Sequence, residues 1–247
     1  MAPGSPPPGF FSFTKGWYTQ PYDFISPTRP ENTARGKNVV VTGGATGIGL
    51  ATAIAFAKAG AKSVTIVARR ENKLKESASS IASAAAQDTR VEYQVADLTN
   101  QKQTLAAFAA IEEKVGKLDI LVSNVGVSST FAPLVELTTE DLLETLQGNV
   151  VTSLHAAQGF IAHAGSNPYL FHISTGLAHV SPWPNLGAYP LAKAAALKLS
   201  NAIAFENQQL HVVDVHPGWV PTDLNSHQKE ATDSRKFARA YQQAVHS

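Results

Sequence analysis

Several residue types and patterns are missing from this chain. It has no cysteine, which excludes disulfide bonds, thiol nucleophiles and thiolate metal sites. No stretch reaches the ~18 uninterrupted apolar residues that a membrane helix needs, and no signal-peptide pattern opens the sequence. There are 20 basic against 19 acidic residues, so no basic excess indicates nucleic acid or an anionic membrane as a partner. These absences predict a cytoplasmic protein that acts without nucleic acid or membrane.

Common catalytic signatures are also missing. There is no Gly-x-Ser-x-Gly elbow, which counts against a serine hydrolase. The glycine-rich loop at 42–49 lacks the Lys-Ser/Thr ending of a nucleoside triphosphate loop, which counts against a kinase or ATPase. The histidines lack a compact motif with carboxylates, so no metal site is predicted and the following are interpreted as ordinary helix, strand-end and loop residues: His155, His163, His172, His179, His211 and His216.

Residues 1–36 differ in composition from the rest of the chain. Half of the 14 prolines lie in the first 30 residues, mixed with the aromatic residues Phe10, Phe11, Phe13, Trp17, Tyr18, Tyr22 and Phe24. Proline fixes the backbone and removes hydrogen-bond donors, so this arm is predicted to be extended and irregular. Its aromatic residues indicate that part of it packs on residues 37–247, which are predicted to form a single domain.

From Lys37 onward, short β-branched runs alternate with alanine-rich helical stretches. The candidate strands are Asn38–Thr42, Ser63–Ala68, Arg90–Ala96, Leu118–Ser123, Pro168–Thr175 and Leu210–Val215. The candidate helices lie near 48–60, 72–87, 101–115, 139–161 and 190–208. Apolar strands separated by helices indicate an α/β, doubly wound Rossmann fold with a parallel sheet of about six strands. Such a sheet binds its ligands at the carboxyl ends of the strands.

The first strand runs into the loop TGGATGIG, residues 42–49. Glycines permit a tight turn and a close approach of backbone N–H groups to a pyrophosphate, and the following helix directs its positive end there. About twenty residues later the second strand ends in Arg69 and Arg70. At this position nicotinamide-binding folds distinguish an adenosine ribose with a free 2′-hydroxyl from one with a 2′-phosphate. Forked guanidinium groups suit a 2′-phosphate better than a hydroxyl. NADP(H) is therefore the preferred cofactor, with NAD(H) as the alternative.

Tyr189 and Lys193 lie four residues apart at the start of an alanine-rich helix, and therefore on one face of it. A phenol titrates near pH 10, and an ammonium about 5 Å away would stabilise the phenolate by roughly 3 kcal/mol. The pair therefore predicts a lowered pKa for the Tyr189 phenol. Pro190 is predicted in the first helical turn, where its missing N–H leaves no intrahelical bond unmade.

These motifs occur in a fixed order. TGGATGIG at 42–49 is followed by Asp97, Ser123-Asn124-Val125-Gly126, Asn149, Ser174-Thr175, Tyr189-x-x-x-Lys193, and Pro217-Gly218 with Thr222. From about Lys37 to Asp223 this order resembles the short-chain dehydrogenase/reductase family, and the N-terminal arm resembles those of uncharacterised fungal members. The resemblance implies an oxidoreductase that transfers a hydride between NADP(H) and a carbonyl or secondary alcohol substrate.

The resemblance also implies roles for individual residues. Tyr189 would be the general acid or base, and Lys193 would support it and reach the cofactor ribose. Thr175, or alternatively Ser174, would donate a hydrogen bond to the substrate oxygen, and the carbonyl of Asn149 would hold a water linked to Lys193. Cofactor contacts are implied for Tyr189 and Lys193 and for Gly43, Thr46, Gly47, Ile48, Gly49, Arg69, Arg70, Asp97, Leu98, Asn124, Gly126, Pro217, Gly218, Val220 and Thr222.

Two features depart from the family pattern. The family places its catalytic serine about thirteen residues before the tyrosine, where this chain has Gly176. After Thr222 only 25 residues remain, with a polar helix predicted over 232–241 and no candidate for the usual seventh strand. We therefore expect the sheet to end at its sixth strand and a C-terminal part of the family fold to be missing. A catalytically silent nucleotide-binding or scaffold protein is the alternative function.

Substrate and partner are the least determined by the sequence. The 178–187 loop, with His179, Pro182, Trp183 and Pro184, is expected to form one wall of the substrate site and slightly favours apolar or aromatic carbonyl compounds. A homodimer through the helices at 139–161 and 190–208 is the predicted assembly.

Overall fold

The computed structural model describes residue 18 and residues 21–128, 130–179, 185–218 and 220–224. Its helices are α1 (Gly47–Lys58), α2 (Glu71–Ala84), α3 (Gln101–Val115), α4 (Thr139–Leu146), α5 (Thr152–His163) and α6 (Tyr189–Glu206). Its strands are β1 (Asn38–Thr42), β2 (Ser63–Ala68), β3 (Arg90–Val95), β4 (Leu118–Ser123), β5 (Ala164–Ile173) and β6 (His211–Val215). Within these ranges no helix has the combination of length and apolar character needed to cross a membrane.

All six strands lie in one parallel sheet, in the order β3-β2-β1-β4-β5-β6. The chain moves outward from β1 in one direction and then restarts at β4 in the other. The carboxyl ends of β1 and β4 therefore flank the point where the strand order reverses, which is where doubly wound sheets bind ligands. This arrangement confirms the predicted Rossmann-type fold with about six strands, and β6 is an edge strand.

Apolar side chains cover both faces of the sheet. On one face, α3 and α5 pack Phe108 and Phe160 against Leu121. On the other face, α2 packs Leu74 in the same cluster as Ile66 of β2. Every residue of β1 is buried because helices cover this central strand on both sides.

Some predicted boundaries were wrong. The helix predicted over 139–161 consists of α4 and α5 joined by a π turn, Gln147–Val151, and it extends to His163. The strand predicted over 168–175 begins at Ala164, which pairs with Leu118 across a register shift. It ends at Ile173, because the next residues turn away into a short 3-10 helix, Gly176–Ala178. The remaining elements differ from their predicted ends by three residues or fewer.

Part of the N-terminal arm is described. It contains two short 3-10 turns, Asp23–Ile25 and Pro30–Asn32. The Ala34 N–H donates to the carbonyl oxygen of Ala59 at 2.9 Å, which fixes the end of the arm to the end of α1. Several sequence predictions lie outside the described residues: Phe10, Phe11, Phe13, Trp17, Pro182, Trp183, Pro184 and the helix over 232–241.

Candidate active site

The glycine loop connects β1 to α1 at the centre of the carboxyl edge. Gly43 has a φ of 65°, a left-handed conformation that glycine adopts without a Cβ clash. A Cβ on Gly49 would lie 2.3 Å from the carbonyl oxygen of Gly43, so only glycine lets α1 start this close to the loop. Thr46 precedes the first residue of α1, Gly47, without capping it through its side chain, and Ile48 follows in the first turn. The exposed N-terminal N–H groups of α1 therefore point along the loop.

The two arginines lie directly after β2. Arg69 and Arg70 are both exposed, and Arg70 immediately precedes α2. Neither guanidinium forms an ion pair with a carboxylate of the described residues. Their charges are therefore available to a ligand at this edge of the sheet.

The end of β3 contributes a carboxylate that is already engaged. Asp97 accepts hydrogen bonds from the N–H and the hydroxyl of Thr99, at 3.0 and 2.8 Å. The side chain of Leu98 is buried in the core, and its carbonyl oxygen accepts from Nδ1 of His155 at 2.8 Å. Asp97 therefore lies at the carboxyl edge of the sheet. Leu98 can contact a ligand there only through its backbone, because its side chain is buried.

The loop after β4 is tied to the glycine loop. Asn124 donates its backbone N–H to the Thr42 hydroxyl at 3.0 Å and its amide to the carbonyl oxygens of Thr42 and Gly43, at 3.1 and 3.3 Å. The Thr42 hydroxyl in turn donates to the Val122 carbonyl at 3.3 Å. Thr42 was not among the predicted site residues, although its place at the head of the glycine motif was visible in the sequence.

Tyr189 is the first residue of α6, and Pro190 follows it in the first turn, as predicted. Lys193 is 4% exposed, and its ammonium donates to the carbonyl oxygen of Ile173 at 3.0 Å. The Nζ atom lies 5.9 Å from the centroid of the Tyr189 ring. The structure therefore brings the phenol and the ammonium together at the end of β5.

The electrostatics of this pair differ from the sequence expectation. Burial raises the pKa of Tyr189 to about 12, because the phenolate loses its hydration. Burial lowers the pKa of Lys193 to about 8 for the same reason. The predicted lowering of the tyrosine pKa was wrong for this unliganded geometry, because the prediction counted the charge of the lysine but not the desolvation of the phenol. At neutral pH the phenol keeps its proton and the lysine its charge.

Asn149 lies fully buried in the π turn between α4 and α5. Its amide nitrogen donates to the carbonyls of Val127 and Thr145, both at 2.8 Å, and its carbonyl accepts from the Ser153 hydroxyl at 2.7 Å. Its Oδ1 is buried without a hydrogen-bond partner among the described residues. π turns of this kind often occur at functional sites.

The side chains of Asn149 and Lys193 both approach Gly126. A Cβ on Gly126 would lie 3.1 Å from Oδ1 of Asn149 and 3.3 Å from Nζ of Lys193. Both polar atoms therefore face the same small space beside this glycine.

Ser174 and Thr175 follow β5 directly. The Ser174 hydroxyl is buried and has no partner within the described part of the chain. The Thr175 hydroxyl accepts from the Leu177 N–H at 3.3 Å and so caps the Gly176–Ala178 turn. An accepting hydroxyl keeps its own O–H to donate. Both candidates for the substrate-orienting hydroxyl therefore lie at the expected strand end.

The segment after β6 returns toward the glycine loop. Gly218 has a φ of 80°, and the Thr222 methyl group would lie 3.2 Å from a Cβ on Gly47. Pro217, Val220 and Thr222 line one side of an open, mainly apolar groove of about 570 Å³ that continues along α1. The predicted contacts of this segment thus lie next to the loop that starts α1.

A histidine after β6 contacts the turn that follows β5. His216, interpreted as an ordinary histidine, accepts the Gly176 N–H through Nδ1 at 3.1 Å. The unusual glycine thirteen residues before Tyr189 was the available signal for this contact. Within the described ranges, no group of three or more metal-ligating side chains gathers in the way a metal site requires.

Comparisons with known proteins agree with this geometry. The family model described as short chain dehydrogenase matches residues 37–233. The short chain dehydrogenase pigC of Monascus ruber is 30% identical over 88% of this chain and 73% of that protein. A short chain dehydrogenase/reductase of Claviceps purpurea is 31% identical over 85% of this chain and 70% of that protein.

Solved structures show the same relationship. A dehydrogenase/reductase from Sinorhizobium meliloti superposes with a TM-score of 0.75 and 31% identity, covering 82% of this chain and 81% of that one. A short chain dehydrogenase from Burkholderia cenocepacia, solved in complex with NADP, gives a TM-score of 0.74 and 28% identity, covering 83% and 82%. The matched family model spans both the glycine loop and the Tyr189–Lys193 pair, and the chain therefore belongs to the short-chain dehydrogenase family.

Proposed function

We propose that this protein is an NADP(H)-dependent carbonyl reductase or alcohol dehydrogenase that acts on a carbonyl or secondary alcohol compound. The observation that carries the proposal is the buried ammonium of Lys193 beside the Tyr189 phenol, at the carboxyl edge that also holds the glycine loop. Burying a charged lysine costs free energy of folding. Ionisable groups with perturbed pKa values in a cleft are typical of active sites.

The residues present fit a nicotinamide dinucleotide. The glycine loop and the N-terminus of α1 would hold the pyrophosphate, because Gly49 leaves the backbone unobstructed there. Asn124 and Gly126 would flank the nicotinamide ribose, and Lys193 would bond to it. When bound, the nicotinamide would supply or accept the hydride.

The preference for NADP(H) rests on Arg69 and Arg70. Both guanidinium groups are exposed at the end of β2 and lack a carboxylate partner among the residues described. Two unpaired forked cations at this position favour a 2′-phosphate over a ribose hydroxyl. The NADP complex of the Burkholderia cenocepacia relative supports this preference.

In carbonyl reduction, Tyr189 would donate its phenolic proton to the substrate oxygen. Its pKa of about 12 keeps that proton in place at neutral pH. The ammonium of Lys193 would stabilise the phenolate that forms, and Asn149 would support the lysine through a water. The Thr175 hydroxyl would orient the substrate oxygen by donating a hydrogen bond, and Ser174 is the alternative donor.

Oxidation of NADPH by ketones and aldehydes, followed at 340 nm, tests the proposed reaction. We expect turnover with at least one apolar or aromatic carbonyl compound, since the exposed loop beside the site carries Phe131 and Leu134. The absence of turnover from a folded sample that binds NADPH would contradict the catalytic claim.

The cofactor preference has its own test, in which the melting temperature is measured with NADPH and with NADH. At equal concentration, a ligand that binds the folded state more tightly raises the melting temperature more. We expect NADPH to stabilise the wild type more than NADH, and Arg69→Ala to remove that difference. Lys62→Ala is the matched control, because it removes an exposed positive charge just before β2, at the opposite end of this strand. Equal stabilisation by both dinucleotides in the wild type would overturn the preference.

A catalytically silent dinucleotide-binding protein is the second candidate. The observation that favours it is the glycine thirteen residues before Tyr189, where the family pattern has its serine. It predicts saturable NADPH binding without turnover, and no effect of Tyr189→Phe on any function of the protein.

The assembly and the location stay predictions. A homodimer through α4, α5 and α6 is supported by exposed apolar side chains on α4 and α6, since Leu143, Leu191 and Phe205 are 57%, 44% and 80% exposed. Light scattering after size-exclusion chromatography would show a mass of twice 26.2 kDa. The cytoplasmic location rests on the composition of the chain.

A further inference from the structure

His216, the first residue after β6, contacts the turn that follows β5. Its Nδ1 accepts the Gly176 N–H at 3.1 Å. A backbone N–H can only donate, so Nδ1 carries no proton in this contact and the imidazole is neutral with its proton on Nε2. The hydrogen bond therefore exists only in one protonation state of the ring.

Gly176 and His216 also fit each other sterically. A Cβ on Gly176 would lie 3.1 Å from Nε2 and 3.6 Å from two ring carbons of His216. These are the three nearest atoms to that position. The imidazole thus occupies the space that a side chain at 176 would need, which gives a physical reason for glycine thirteen residues before Tyr189.

The same turn presents the Thr175 hydroxyl. The Ala178 N–H donates to the carbonyl of Thr175 at 3.1 Å, and the Leu177 N–H donates to its hydroxyl at 3.3 Å. On the strand side, the Ser174 N–H donates to the Val215 carbonyl at 2.9 Å. The hydrogen bond from Gly176 to His216 follows the one from Ser174 to Val215 along the chain. It therefore extends the hydrogen bonding between β5 and β6 into the turn.

We propose that His216 is a positioning residue whose neutral imidazole fixes the Gly176 turn and thereby the direction of the Thr175 hydroxyl. The proposal rests on the proposed function, in which that hydroxyl orients the substrate oxygen. It assigns a role to the histidine and to the glycine that departs from the family pattern.

The proposal predicts a dependence on pH. Protonation places a hydrogen on Nδ1, which can then no longer accept from Gly176. Partial burial and the charge of His179 lower the pKa of His216 below its usual value. Among the described residues, the elements packed against the turn also carry Asp214, which is bonded to His172 and Ser200, and Tyr189 and Lys193 of α6. The contact is therefore complete at neutral pH and is lost as the pH falls through a value below about 6.5.

The test compares three variants in the full chain. His216→Asn keeps an acceptor oxygen near the position of Nδ1 but does not titrate. His216→Leu removes the acceptor while keeping an apolar side chain of similar size. His211→Asn is the matched control, because His211 is an exposed histidine at the opposite end of β6. For each protein, kcat is measured from pH 5 to 8 with NADPH and a carbonyl substrate, and the Gly176 amide is followed by NMR over the same range.

We expect the wild type and His211→Asn to lose activity at acid pH while the Gly176 amide resonance shifts with the same midpoint. His216→Asn should keep kcat within about threefold of the wild type at neutral pH and should not lose activity at acid pH. His216→Leu should reduce kcat about tenfold at neutral pH and should show no further loss at acid pH. Wild-type activity and an unchanged acid limb in His216→Leu would overturn the proposal. So would a Gly176 amide that does not respond to the titration of His216.

The kcat measurement and the NMR titration together distinguish a failure of this proposal from a failure of the proposed function. The NMR titration needs no turnover, so it reports on the contact between His216 and Gly176 in any folded sample. A wild type that shows the titration and binds NADPH but reduces no carbonyl compound would contradict the proposed function alone. A wild type that turns over but shows no titration would contradict the role of His216 alone.

Discussion

The two halves of the sheet are stabilised in different ways. In the first half, β1 to β3 with α1 and α2, apolar packing dominates, and β1 buries all of its residues. In the second half, β4 to β6 with α4 to α6, the edge strand β6 leaves His211 and Val213 exposed. Among the described residues, every buried ionisable side chain lies in this second half, namely His155, His172 and Lys193.

The first half therefore forms the apolar, rigid part of the fold, and the second half contains the buried ionisable groups. An apolar half can hold a cofactor in a fixed place because packing tolerates little displacement. Buried charge in the other half costs stability, and that cost is accepted in proteins mainly where the charge has a task. Changes in the first half should therefore act on folding and cofactor affinity, and changes in the second half on catalysis and on pH dependence.

The largest effect is expected from Tyr189→Phe. Removing the phenolic proton should lower kcat by about 1000-fold, the order of magnitude for the loss of a general acid. The rise in melting temperature with NADPH should stay unchanged, because the ring still packs at the start of α6. A variant that keeps more than a tenth of the wild-type rate would show that another group supplies the proton.

Gly49→Ala tests the close packing in the first half of the sheet. Its Cβ would lie 2.3 Å from the Gly43 carbonyl oxygen and 2.6 Å from the Asn124 amide. We expect a loss of about 3 kcal/mol in the free energy of unfolding and no stabilisation by NADPH. Gly165→Ala is the control, since its nearest neighbour would be 3.7 Å away. Urea unfolding with and without NADPH measures both, and equal stability of the two variants would contradict the steric account.

The next largest effect is expected at the contact between His172 and Asp214, which lies behind α6. His172 is 3% exposed and donates to Asp214 at 2.7 Å, while Asp214 accepts from Ser200 of α6 at 3.2 Å. His172→Leu leaves the carboxylate without its main partner and should cost about 2 kcal/mol. His163→Leu removes a hydrogen bond to Glu112, which keeps its ion pair with Lys117, and should therefore cost less. The reverse order in urea unfolding would contradict the importance of this buried pair.

The smallest expected effect is the basic limb of the pH profile. Lys193, with a pKa of about 8, is charged below that pH and neutral above it, whereas Tyr189, with a pKa of about 12, does not titrate in this range. The value of kcat/KM for carbonyl reduction should therefore fall about tenfold between pH 7 and 9, since it reports on the free enzyme. A flat profile up to pH 10 would show that the charge of Lys193 is not needed.

The sequence predicted the first half better than the second. Buried β-branched runs predict strands such as β1 directly, and the spacing of Tyr189 and Lys193 predicts that they share a helix face. The π turn around Asn149 has no characteristic period in the sequence, so a single helix was predicted there. The pKa of Tyr189 and the contact between His216 and Gly176 depend on burial and on residues far apart in the chain, which local patterns do not reveal.

Transfer of deuterium from NADPH that carries deuterium in place of both C4 hydrogens of the nicotinamide tests the central claim most directly. With a carbonyl compound that supports turnover, the alcohol product should gain one deuterium in the presence of the wild type, as measured by mass spectrometry. Tyr189→Phe should give almost no labelled product, although its melting temperature still rises with NADPH. A folded wild type that binds NADPH and transfers no deuterium to any ketone or aldehyde tested would contradict the account.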